Sequence, residues 1–209
     1  MSHFPSTGAN CNWASFDSWS GSTIESQPRV VSLHTTCLGE HDGVMDTNRV
    51  MLRHFLAALA YRTQKAVRGH PHGFGEYRAA KGVRTPCEIV RHMTSVLGYA
   101  SAFFEGGNYS AEPLATLEAE LERFHKMLAK LSSHFALGPF DRMTPERFLQ
   151  GPLSDAMTHA GQLAMLRRLA NAPVAPENFI LADIDSENVS SDQPDPAAPD
   201  EGWHTPDGE

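Results

Sequence analysis

The stretch TPCEIVRHMTSVLGYASAFFEGG, residues 85–107, decides the fold. Thr85 is a residue type that caps helix N-termini, Pro86 suits the first helical position, and Glu88 stands three residues after the cap, which completes a capping box. Ile89, Met93, Val96, Leu97, Ala100, Phe103 and Phe104 then recur at helical spacing, and Gly106-Gly107 stops the run. The stretch predicts one amphipathic helix with both ends marked.

The same signals repeat on either side. Upstream, Asp46 caps a helix over about residues 47–68, with Leu52, Phe55, Leu56, Leu59, Ala66 and Val67 on one stripe and Gly69 and Pro71 at its end. Downstream, Leu114, Leu117, Leu121, Phe124, Leu128, Leu131 and Phe135 alternate spacings of three and four, a heptad seam closed by Gly138-Pro139. After a short capped turn at Thr144-Pro145-Glu146, a last helix is expected to start at Gly151-Pro152. It runs through Leu153, Met157, Leu163, Leu166 and Leu169. Four such helices without strand-like alternation predict an all-α fold, a four-helix bundle over residues 45–172 with irregular extensions at both ends. No internal repeat is evident.

Charge marks the same boundaries. The formal net charge of −8 divides into −3 for residues 1–44, +5 for 45–172 and −10 for 173–209, the last segment holding no Lys or Arg. Residues 1–44 are rich in Ser, Thr, Gly and Asn without a period, and read either as an irregular leader or as an extension ahead of a chain that begins at Met45. Residues 173–209 form an acidic, Pro-rich tail, too poor in apolar residues to fold alone, although Phe179, Ile180, Leu181 and Ile184 can dock on the domain. A tail of this charge is expected to fold back on the basic helices.

Several function classes are excluded at this level. An apolar content of 41% is too high for a wholly disordered chain. Cys11, Cys37 and Cys87 are odd in number and lack a CxxC pair, against a disulfide framework or a sulfur-rich zinc site. The N-terminus has no basic and apolar export signal, and no apolar run is long enough for a membrane, so a cytoplasmic protein is expected. Basic residues alternate with acidic ones rather than forming a patch, which argues against nucleic acid as a partner.

Histidines on apolar stripes are the candidates for chemistry. At about 100° per residue, His92 falls between Tyr99 and Phe103 on the second helix, and Asp155 and His159 share the Leu163 and Leu166 face of the last. Asp155 and His159 are one turn apart, which lets a carboxylate oxygen and an imidazole nitrogen reach one ion about 2 Å from each. With His92 they make three metal ligands and leave positions open, the pattern of a catalytic site. A carboxylate inside a bundle also needs a cation or donors; His159 or Arg167 can serve if no metal is bound. His125 lies at the edge of its seam and is a reserve ligand. His54 and His134 lie off their stripes, His70-Pro71-His72 is in a connection, and Cys37 and His41 fall in the leader, where neither is expected to form a site.

Val83 to Gly98 and Gly151 to Leu163, the segment GPLSDAMTHAGQL, resemble the second- and fourth-helix motifs of the DinB/YfiT-like superfamily. The resemblance covers about residues 45–172. It implies a metal triad of one histidine from the second helix and two, four apart, from the last. His92 and His159 match; Asp155 stands where the first histidine of the pair is usual, which shifts preference toward harder ions or weakens binding. The resemblance further implies a divalent metal (Zn, Ni, Mn or Fe), an enzyme of the thiol S-transferase type acting on a small molecule with a low-molecular-weight thiol, and a homodimer. Relatives of this type include mycothiol-dependent maleylpyruvate isomerase and bacillithiol S-transferases. The alternative is a non-catalytic dimeric bundle, a binding or scaffold module whose inward His and Asp residues form a hydrogen-bond network. A minor reading uses Arg49, Arg53, Arg62, Arg68, Arg78, Arg84 and Arg91 to bind an anionic partner. Leu153, Met157, Ala160 and Ala164, away from the His159 face, are the apolar surface available for pairing.

Overall fold

A computed structural model describes residues 46–200. The expected leader, with Cys37, His41 and Met45, and the last nine residues lie outside the described residues. Five α-helices follow in order among these residues: α1 (Thr47–Val67), α2 (Pro86–Glu105), α3 (Leu117–Leu137), the short α4 (Pro145–Phe148) and α5 (Ser154–Leu169). No strand occurs among the described residues, and one isolated bridge pairs Glu177 with Pro199.

The predicted caps form. Asp46 accepts from the Asn48 amide at 3.0 Å. Thr85 accepts from the Glu88 amide at 3.3 Å while the Glu88 carboxylate takes the Thr85 amide at 2.7 Å, and Gly106 and Gly107 both turn to positive φ beyond α2. The seam of α3 begins later than expected: Thr116 caps it, so Leu114 precedes the helix and is exposed.

The four long helices close on one another, α1 and α2 each packing against both α3 and α5. Their stripes meet in a single core in which Leu56, Leu59, Val90, Met93, Leu97, Phe124, Leu128, Leu131, Phe135, Leu153 and Leu163 are fully buried. Each such side chain contributes about 1.5–3 kcal/mol relative to exposure. Leu153 and Ala160 belong to this core, with Met157 and Ala164 packed against it. The face of the last helix expected to be free for pairing is therefore spent inside the chain.

The last helix also starts differently. The chain is already helical from Pro145, and Pro152 lies inside a π-turn, Leu149–Leu153, rather than at a helix start. Proline has no amide hydrogen, and in an α-helix its ring would strike the carbonyl four residues back. Widening to a π-turn relieves both, and Ser154 returns its amide and its hydroxyl to the Leu149 carbonyl, the hydroxyl at 2.6 Å. Phe148 anchors the turn, stacked on Phe104 at 5.3 Å and edge-on to Phe135 at 5.2 Å.

Residues 173–200 are irregular but docked. Apolar burial is small, with Val189 buried and Ile184 partly so, while Ile180 and Leu181 are exposed. Polar partners hold the rest: Arg53 pairs with Glu187 at 2.5 Å, Arg68 with Asp195 at 2.5 Å, and the Tyr61 hydroxyl donates to Glu177 at 2.7 Å. Arg62 lies over the Phe179 ring, 3.8 Å from its centre. Chain composition alone understates this docking, because it counts apolar residues and not the arginines opposite them. Arg49 is likewise committed, to the Phe135 and Gly138 carbonyls at 2.8 and 2.9 Å. The proposed basic surface is thus largely engaged within the chain.

Candidate metal centre

Two helices bring the candidate ligands together. α2 carries His92 and α5 carries Asp155 and His159, and the two helices pack directly. The π-turn ends immediately before Ser154, so the phase of α5, and with it the direction of Asp155 and His159, is set by the Pro152 widening. Such turns recur at functional sites.

The donor atoms of the three residues lie within 4.8 Å of one another. His92 Nε2 stands 3.6 Å from Asp155 Oδ2, and His159 Nε2 stands 3.5 Å from Asp155 Oδ1. The two imidazoles meet edge to face with centres 4.7 Å apart. These gaps exceed a good N–H···O hydrogen bond, about 2.7–3.2 Å. They run to different oxygens of the Asp155 carboxylate, each near the roughly 3.3 Å that separates two ligands placed tetrahedrally about 2.0–2.1 Å from one ion.

Protonation states sharpen the fit. Burial holds His159 below its ordinary pKa, with hydrogen bonding to Gln162 and the Asp155 charge opposing. In the neutral ring, Nδ1–H donates to Gln162 Oε1 at 2.8 Å, which leaves the Nε2 lone pair aimed toward the Asp155 carboxylate. Asp155 is held below the usual carboxylate range, chiefly by hydrogen bonding to His92 and against the effect of burial, with the Arg84 charge adding to it. A lone pair and an anion facing each other at 3.5 Å are stabilised by a cation between them. The residues present therefore fit a divalent ion, with Gln162 orienting one imidazole from outside.

The positions differ from expectation in three respects. His159 is buried, but His92 is half-buried and Asp155 is 47% exposed, so the triad opens at the rim of the helices rather than in the core. The cost of a buried carboxylate therefore does not apply to Asp155. The rim follows from Tyr99, which shares the His92 side of α2 and is itself exposed. Arg167 does not serve Asp155; it is buried and donates to the Ala66, Arg68, Gly69 and Ala172 carbonyls.

The reserve ligand His125 is not brought to the triad. Its Nδ1 bonds the Val189 carbonyl at 2.9 Å, and it lines a cleft of about 770 Å³ between α3 and the tail that contains none of the three. His54 is exposed, and His134 stacks on Phe104 and bonds Glu105. Cys87 offers no nucleophile: burial, with a hydrogen bond to Glu76, pushes its thiol up to about 12. Gln162 was missed by reasoning on apolar stripes, since it is exposed; its position three residues after His159 on α5 is the signal that identifies it.

No protein-family model, curated protein or solved structure matches the chain.

Proposed function

We propose that this chain is a divalent-metal-dependent enzyme of the thiol S-transferase type, built on a DinB-like four-helix bundle, with His92, Asp155 and His159 as the metal ligands. The observation that carries the reading is the convergence of His92, Asp155 and His159, from two helices, with donor atoms within 4.8 Å of one another. The bundle assignment is supported by the four mutually packed helices and by the resemblance in α2 and α5.

Three ligands leave further coordination positions free, and the 47% exposure of Asp155 puts them within reach of solvent and small molecules. A divalent ion there supplies the Lewis acidity that favours the thiolate of a low-molecular-weight thiol at neutral pH. The chain's own side chains do the positioning. Gln162 fixes the His159 tautomer, and the Asp155 carboxylate stays ionised. A cytoplasmic setting, where such thiols stay reduced, suits the reading.

The test is a thiol-consumption assay with a panel of low-molecular-weight thiols and a haloarene or epoxide electrophile. Rate enhancement by added divalent metal, abolished by chelator and by His159→Ala, is the expected result. Stoichiometric metal with no enhancement for any pair would remove the transferase reading and leave a metal-binding bundle.

A further inference from the structure

We propose that the groove beside the triad binds the anionic end of a small substrate, a carboxylate or phosphate, through Arg84 and Arg91. The inference rests on the triad being the reactive centre and adds the substrate class. The groove, of about 420 Å³, is lined by Arg78, Arg84 and Arg91, by Glu88 as its one carboxylate, and by His92, Ser95 and neighbouring backbone. That volume suits a small molecule.

The single acid is already neutralised. Glu88 receives Arg78 in a two-pronged contact at 3.0 and 3.1 Å and the Thr85 amide at 2.7 Å, while Arg78 also donates to the Val83 carbonyl. Ser95 is satisfied too, donating to the Arg91 carbonyl and accepting from the Ala111 amide. Arg84 and Arg91, by contrast, make no side-chain hydrogen bond or ion pair within 4 Å among the described residues. Their contrast with Arg49, Arg53, Arg62, Arg68 and Arg78, all engaged, separates them from the general arginine content. Two guanidinium groups with no hydrogen-bonded partner thus line one groove, and their planar forks fit an oxyanion.

The groove and the triad are continuous. His92 lines the groove and is also one of the three converging donors. A ligand held by its anionic end in the groove therefore extends toward the donor atoms, which couples recognition of charge to position.

Full-length protein stripped of metal by chelator is titrated calorimetrically with inorganic phosphate, with succinate and with uncharged succinamide. Saturable binding of either anion, weakened by salt and absent for succinamide, is expected, and whichever anion binds names the headgroup. Arg84→Gln and Arg91→Gln should each weaken it by at least about tenfold, with Arg84→Lys restoring part. Unchanged melting and metal content in these variants exclude misfolding. Binding by the variants equal to the unaltered protein, or no saturation by either anion at tens of millimolar, overturns the proposal. Anion binding with no metal affinity refutes the metal centre instead, and metal affinity with no anion binding refutes only the groove.

Discussion

Nε2 of His159 faces Oδ1 of Asp155 across 3.5 Å. Because burial favours the neutral imidazole and Gln162 occupies its other nitrogen at 2.8 Å, the pair presents a lone pair and a carboxylate to the same point in space. That point could hold a cation.

Removing the outer support should weaken the site without dismantling it. In Gln162→Ala the His159 ring loses its orienting acceptor, so metal affinity is expected to fall by about 10–100-fold. Competition against a chromophoric chelator measures this, and melting of the metal-free protein should stay unchanged because Gln162 is exposed.

With a metal on the triad, the Asp155 carboxylate should set the preference among ions. Exchanging its oxygen for nitrogen in Asp155→His should favour Zn or Ni over Mn relative to the unaltered protein. Equal selectivity in a two-metal competition would place Asp155 outside the coordination sphere.

Much of this was legible in the sequence, and the failures have physical causes. Caps, glycine stops and apolar stripes located the helices because each is a local device. The triad was legible because its members sit at fixed helical phases. Pro152 misled, since a proline at a helix start and one absorbed by a π-turn look alike until the preceding carbonyls are seen. The close packing at Gly98 was not legible either: in the middle of α2 the Tyr109 ring lies against it, and an added methyl would come 2.0 Å from Tyr109 Cδ1. Gly98→Ala should therefore destabilise the fold by about 1–3 kcal/mol in urea melts, with the capping-box end of α2 unaffected. Depth was not legible: a helical wheel gives direction around an axis but not distance from the rim, which is why His92 and Asp155 proved more exposed than their angles implied.

The docked tail has a measurable role. Ending the chain after Ala172 removes the partners of Arg53, Arg62 and Arg68 and uncovers the site of Val189, whose burial alone contributes about 1.5–3 kcal/mol. The shortened protein should melt at lower temperature and be retained on heparin at low salt more strongly than the full chain, with salt abolishing the difference.

Stability should decline in mild acid partly through the same tail. His125 is held below its ordinary pKa by burial, against the opposing effect of its bond to the Val189 carbonyl. The unfolded chain then binds a proton near pH 6.5 while the folded one resists, so this stability is present above that pH and is lost as pH falls below it. His159, lowered by burial as well, has the same sign. Melts at pH 7.5 and 5.5 should show the loss, and His125→Asn should reduce it; an unchanged pH dependence in that variant would contradict the role assigned to His125.

The most direct measurement is the metal content of protein purified without a nickel column, compared with that of His159→Ala. About one divalent ion per chain is predicted for the unaltered protein, and close to none for the folded variant. Equal, substoichiometric metal in both would contradict the account.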